Sequence, residues 1–138
     1  MRAAKVLRRR VLLVSQDKRL KRQVQDCLTM SGFPATLIMS FDNEHPGIPD
    51  GKKTLPHVIV LDDSVTVQQG PTLLDTFHRY APHAFVIYIA GQHTPELERT
   101  VRQLGVLYYT AKPPDDLSLQ QVLTAALQRS TQGEKSAA

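Results

Sequence analysis

The sequence predicts an α/β fold in which a five-stranded parallel sheet is doubly wound, with helices on both faces. Five short apolar runs, at 11–15, 35–41, 57–62, 85–90 and 106–111, are separated mostly by amphipathic stretches of helical period, and strictly alternating elements of this kind build parallel sheets. Within the runs successive residues are apolar, as in Val11-Leu12-Leu13-Val14 and Val58-Ile59-Val60-Leu61, which marks strands buried on both sides. The length of 138 residues, with 41% hydrophobic and 22% charged, suits a single core.

Each element has its own local warrant. Val11 to Ser15 reads as the first strand, and Asp17 caps the helix that follows. In that helix Leu20, Val24, Cys27 and Leu28 form one apolar stripe, opposite Lys18, Arg19, Lys21 and Arg22, and Gly32 stops it. Cys27 on the stripe is expected to be a buried structural thiol. Ala35 to Phe41 reads as the second strand. The stretch 42–56 carries Pro46, Pro49, Pro56, Gly47 and Gly51, so a loop is expected there in place of a second helix. His57 to Asp62 is the third strand. A helix from Pro71 to Tyr80 buries Leu73, Leu74 and Phe77. Phe85 to Ala90 is the fourth strand. Thr94-Pro95-Glu96 combines a cap, a first-turn proline and an early acid; that helix turns Leu97, Val101 and Leu104 inward and ends at Gly105. Val106 to Ala111 is the fifth strand. The last helix runs from Asp115 or Asp116 to Arg129, with Leu119, Val122, Leu123, Ala126 and Leu127 inward. The expected organisation is a basic extension over 1–9, a domain over 10–129 and a disordered tail over 130–138.

Charge and composition exclude several classes. No apolar run approaches the roughly 20 residues of a membrane span, and none resembles a secretion signal, so a soluble, cytoplasmic protein is expected. The single cysteine allows no internal disulfide, and no Cys/His spacing suits zinc. Residues 1–22 hold nine of the 17 basic residues and one acid, Asp17. No aromatic residue interleaves with these cations, which disfavours nucleic-acid binding by stacking. Ser15-Gln16-Asp17-Lys18 contains no glycine, which disfavours a nucleotide-phosphate loop, and no nucleophile motif organises a hydrolase. No enzymatic activity is expected.

Ligand sites in such sheets lie beyond the carboxyl ends of the strands, here Ser15-Gln16-Asp17, Asp62-Asp63, Ala90-Gly91 and Lys112. Three pieces then resemble the receiver (CheY-like) domain of two-component response regulators, over residues 10 to 129. The strand Pro56-His57-Val58-Ile59-Val60-Leu61-Asp62, with Gly70 eight residues on, resembles the phosphoacceptor strand and its loop glycine. Tyr109-Thr110-Ala111-Lys112-Pro113 resembles the switch aromatic and the Lys-Pro turn. Val11 to Val14 followed by a polar cluster resembles the first strand. The resemblance implies a flavodoxin-like (βα)5 fold, with Asp62 at the phosphoacceptor position.

The departures from the family bear on chemistry. Its two adjacent carboxylates, which help hold Mg²⁺, are replaced by Ser15 and Gln16; its Ser/Thr at the end of the fourth strand is replaced by Ala90. Mg²⁺ prefers one or two carboxylates among its oxygen ligands, so weak Mg²⁺ binding at most is expected, with no metal site and no other cofactor. Without a hydroxyl at Ala90 one hydrogen-bond donor to a phosphoryl group is lost, a loss of about 3 kcal/mol in comparable sites. Asp62 and Lys112 are therefore expected to form an ion pair between the third and fifth strands. Asp63 is expected to be solvated, His57 to be satisfied at a strand edge, and His93 to lie near the site. Of Tyr108 and Tyr109 one ring should face in and the other out.

The function expected is a pseudo-receiver: an interaction module independent of phosphorylation. The alternative is a response regulator still phosphorylated on Asp62 by a histidine kinase. The expected partner is a protein, a histidine kinase or a downstream regulator. The resemblance also implies pairing of two copies through the family's helix 4, strand 5 and helix 5 face, here bearing Tyr109, Arg99 and Arg102. The basic face of Lys18, Arg19, Lys21 and Arg22 offers a second docking surface.

Overall fold

The computed structural model describes residues 9–39, 55–65 and 70–137. Along the chain these form β1 (Arg9–Val14), α1 (Lys18–Ser31), β2 (Ala35–Met39), β3 (Val58–Asp62), a 3-10 turn (Asp63–Val65), α2 (Gly70–Tyr80), β4 (Phe85–Ala90), α3 (Pro95–Leu104), β5 (Tyr108–Ala111) and α4 (Asp116–Ala137). All strand pairs are parallel, in the order β2-β1-β3-β4-β5. The order reverses between β1 and β3, so the crevice for a ligand lies beyond the carboxyl ends of these strands.

The two faces of the sheet carry separate cores, as the continuous apolar strands require. On one, Val11, Leu13, Val58, Val60, Ile87 and Ile89 pack against Leu20, Val24, Cys27 and Leu28 of α1 and Leu119, Leu123, Ala126 and Leu127 of α4. On the other, Leu12, Val14, Ile59, Leu61, Val86, Tyr88 and Ala90 meet Leu73, Leu74 and Phe77 of α2 and Val101 of α3. The doubly wound fold read from the sequence is the fold observed. Cys27 is a buried thiol, its pKa pushed up to about 11 by burial and then by the nearby Asp116 and Asp26 charges.

Several boundaries differ from the sequence reading. β1 begins at Arg9, ahead of the apolar run, because Arg9 and Arg10 are in register with Ala35 and Thr36 of β2. Arg10 also exchanges backbone and side-chain hydrogen bonds with Leu55 and His57, the satisfied edge position expected of His57. β5 starts at Tyr108 and not Val106; Leu107 N already donates to Val86 O across the gap. α4 continues to Ala137 through the stretch expected to be a disordered tail. No proline interrupts 130–137, each added residue gains a backbone bond at little cost, and Ser130 is buried with its Oγ donating to Ala126 O. Leu104 is 40% exposed and not turned inward; of the expected stripe only Val101 is buried and Leu97 half-buried. The loop expected over 42–56 falls largely on 40–54, outside the described residues, as does the extension 1–8.

Two glycines hold the frame for different reasons. Gly32 closes α1 with φ 78°, a left-handed conformation that costs an L-residue about 1–2 kcal/mol. Gly70 opens α2, and a Cβ there would land on the Tyr88 hydroxyl. Gly70→Ala should therefore cost about 2 kcal/mol by overpacking, and Gly32→Ala about 1 kcal/mol by backbone strain. In urea denaturation, double-mutant cycles with Tyr88→Phe should show coupling for Gly70→Ala and additivity for Gly32→Ala.

Candidate functional site

Four chain turns meet at the carboxyl edge of the sheet. β1 ends at Val14, which places Ser15 and the α1 cap Asp17 there. β3 ends in Asp62, the 3-10 turn carries Asp63 and Ser64, β4 ends in Ala90, and β5 leads into Lys112, joined by a cis peptide to Pro113. Asp62 is 0% exposed. A buried carboxylate is stable only when paired and hydrogen-bonded, and both its oxygens are engaged. Oδ1 accepts Ser64 N at 3.1 Å and Ser64 Oγ at 2.6 Å. Oδ2 accepts Ser15 Oγ at 2.7 Å and the Lys112 ammonium at 2.7 Å.

Lys112 joins this carboxylate to a second one. Its Nζ also donates to Asp17 Oδ2 at 3.0 Å and to Ser64 Oγ at 3.1 Å, so the three donors of the ammonium have three partners. Burial alone would lower the Lys112 pKa, but hydrogen bonds and charge attraction from Asp62 and Asp17 outweigh it and the net shift is upward. The Lys112 hydrogen bond in turn holds Asp17 below the usual carboxylate value. Asp17 meanwhile keeps its capping role, with Oδ1 accepting Arg19 N and Leu20 N. Ser15 Oγ accepts Asp17 N at 3.0 Å, which ties the end of β1 to the start of α1.

A second carboxylate does different work one residue on. Asp63 Oδ2 accepts the Tyr88 hydroxyl at 2.6 Å, and Oδ1 accepts Gly91 N at 2.7 Å. It is therefore not the solvated residue expected. The side chain turns back onto the end of β4 because Tyr88, 0% exposed, needs an acceptor for its phenol. Burial and then that bond raise the Tyr88 pKa. Tyr88 stacks on Tyr109 with ring centroids 5.7 Å apart. The Tyr109 hydroxyl meets His93 Nδ1 at 2.8 Å, and the Arg102 guanidinium lies 5.9 Å over its ring, itself held by Glu98 at 2.8 Å.

The expected site residues come together only in part. Ser15, Asp62 and Lys112 meet directly, and Ala90 stands beside them, its carbonyl accepting Lys112 N. Gln16 is exposed at the rim. Tyr109 is 6% exposed and so does not offer its ring as an interface anchor. Tyr108 is half-buried against the opposite core: both faces of the sheet are covered, so alternation sends each ring into a packed layer instead of one into solvent. Arg99 and Arg102 are exposed on α3, and Lys18, Arg19, Lys21 and Arg22 are exposed on α1. None of these four α1 cations has an ion-pair partner among the described residues. Ser64 escaped the sequence reading altogether. Its signal was its place two residues after a strand-end aspartate, the spacing at which a serine can hydrogen-bond back.

The divalent ion implied by the family resemblance does not fit these residues. Among the described residues no group of three or more His, Cys, Asp or Glu could hold a metal. Any cation between Asp62 and Asp17 would have to displace the Lys112 ammonium. No helix among the described residues is long and apolar enough to cross a membrane.

No protein-family model matches the chain, and no curated protein matches it. Solved structures do. A CheY-like response-regulator receiver domain from Methanospirillum hungatei JF-1 superposes with a TM-score of 0.72 at 17% identity, over 92% of this chain and 99% of that one. The signal receiver domain of an HD-domain protein from Pseudomonas fluorescens Pf-5 gives 0.69 at 23% identity, over 91% and 99%. An orphan response regulator of H. pylori gives 0.64 at 20% identity, over 86% and 96%. The chain has the receiver fold of response regulators. Asp62 is the last residue of β3, and Lys112 directly follows β5.

The network makes a prediction about acid stability. The folded pKa of Asp17 lies below its unfolded value of 3.8. Its contribution is thus present above that pH and lost as pH falls through the folded value. Asp17→Asn keeps a helix cap but not the charge. Below about pH 4 its thermal stability should fall less steeply than that of the wild type. The difference should stay under about 1 kcal/mol, because Asp17 is partly screened by solvent.

Proposed function

We propose that the chain is a signalling module of receiver architecture that works by protein–protein contact, without phosphorylation and without catalysis. One observation carries the reading: the Asp62 carboxylate already has four donors, two on each oxygen, one of them the ammonium of Lys112. Attack on a phosphoryl group needs a free carboxylate oxygen and charge neutralisation of two approaching anions. Here the neutralising charge is spent on the ground state. Ala90 supplies no side-chain donor to a phosphoryl oxygen, and Ser15 and Gln16 supply no second carboxylate.

Contact surfaces of two kinds support such a role. The exposed cations of α1 suit an acidic protein partner by charge complementarity. The face of α3, β5 and α4, with Arg99 and Arg102, is the surface through which a second copy or a downstream regulator would dock. A second reading, phosphorylation of Asp62 by a histidine kinase, draws on Asp62 and Lys112 standing 2.7 Å apart at the sheet edge.

The test is intact-mass analysis after incubation with a small phosphodonor and Mg²⁺, beside Asp62→Asn. The expected outcome is no phosphoryl gain in a folded wild-type sample. Stoichiometric gain by the wild type, absent from the variant, would replace this reading with the second.

A further inference from the structure

We infer that Lys112 is an internal cation: its ammonium takes the place that a divalent ion would hold between Asp17 and Asp62, so the native state neither needs nor admits one. The inference deepens the phosphorylation-independent reading and rests on the same site, but it concerns the ground state and involves no phosphodonor.

The geometry supports this in three ways. The ammonium lies 2.7 Å from Asp62 Oδ2 and 3.0 Å from Asp17 Oδ2, with Ser64 Oγ at 3.1 Å, two carboxylates and a hydroxyl around one positive centre. That is a donor set of the hard-oxygen kind that Mg²⁺ or Ca²⁺ favours, except that the lysine has filled it. The remaining oxygens point elsewhere: Asp17 Oδ1 caps α1, Asp62 Oδ1 is bonded to Ser64, and Asp63 is committed to Tyr88 and Gly91. Among the described residues no third carboxylate is left to draw a dication in beside the lysine. Moreover, a tethered cation reaches the site without the translational entropy loss of a free ion, and Mg²⁺ gives up its water reluctantly. The pair of chain segments that a bound ion would bridge, the start of α1 and the end of β3, is bridged from β5 instead.

Removing the ammonium should expose the cation site. In chelator-treated buffer the wild-type melting temperature should not change on adding about 10 mM MgCl2 or CaCl2, beyond an NaCl control of equal ionic strength. Lys112→Met keeps the length of the side chain and drops the charge. It should melt roughly 10 °C lower, since breaking a buried pair strands a charge, and should regain about 5 °C with either dication. Adding Asp17→Asn to it should abolish the regain. A wild-type rise of several degrees with Mg²⁺ would overturn the inference, as would a folded Lys112→Met indifferent to both ions. Should that variant fail to fold, Mn²⁺ line broadening on the wild type decides. Amides of Ser15, Asp17, Asp62 and Ser64 should show no selective broadening, and selective broadening there overturns the inference. A wild type that is phosphorylated in the mass assay but indifferent to Mg²⁺ when no phosphodonor is present would sink the phosphorylation-independent reading and leave this one standing.

Discussion

The carboxyl end of this sheet is organised around one ammonium group. Asp62 is the last residue of a strand covered on both faces, and its carboxylate has no exposure to water. Leaving such a charge unpaired costs several kcal/mol. Lys112 removes that cost by reaching back from the end of β5, and because it also holds Asp17, it couples β3, β5 and the start of α1 through a single atom. The two serines complete the arrangement: Ser15 and Ser64 fill the acceptor capacity of Asp62 that the lysine leaves open. The site is thus a satisfied polar network inside an apolar sheet, and such networks fix one arrangement when every member is paired.

The adjacent aspartate shows how closely this edge is built. Asp62 and Asp63 are neighbours in the chain, yet one faces the lysine and the other holds the Tyr88 phenol and the backbone of Gly91. Tyr88 in turn occupies the space that a side chain at Gly70 would need, and it stacks on Tyr109. From there a chain of contacts reaches His93, Arg102 and Glu98 on the outer surface. Tyr109, the second residue of β5, is thereby held inward by stacking, by a hydrogen bond and by a guanidinium.

The fold by itself assigns no activity, because one architecture hosts many functions. What the edge of the sheet can do is set by the chemistry of each position. The Asp62 carboxylate has four donors, Ala90 has no side-chain donor, and the Lys112 ammonium is bound to two carboxylates.

The sequence determined the architecture and brought Ser15, Asp62, Ala90 and Lys112 to one edge of the sheet. Continuous apolar strands can only be covered on both faces, the capping signals at Asp17 and Thr94 and the stops at Gly32 and Gly105 follow from local backbone geometry, and the pairing of Asp62 with Lys112 follows from two strand ends that open on one edge. What it did not determine was anything that depends on side chains meeting across elements. Asp17 carries a cap signal that hides its second bond to Lys112, ninety-five residues away. Ser64 and Asp63 look like ordinary turn residues until Asp62 and Tyr88 are placed beside them. Tyr109 is inward only because α3 and Tyr88 cover the face onto which strand alternation sends it. The ends of β1 and α4 likewise lie beyond the apolar pattern, since backbone hydrogen bonding can carry an element past the residues that bury it.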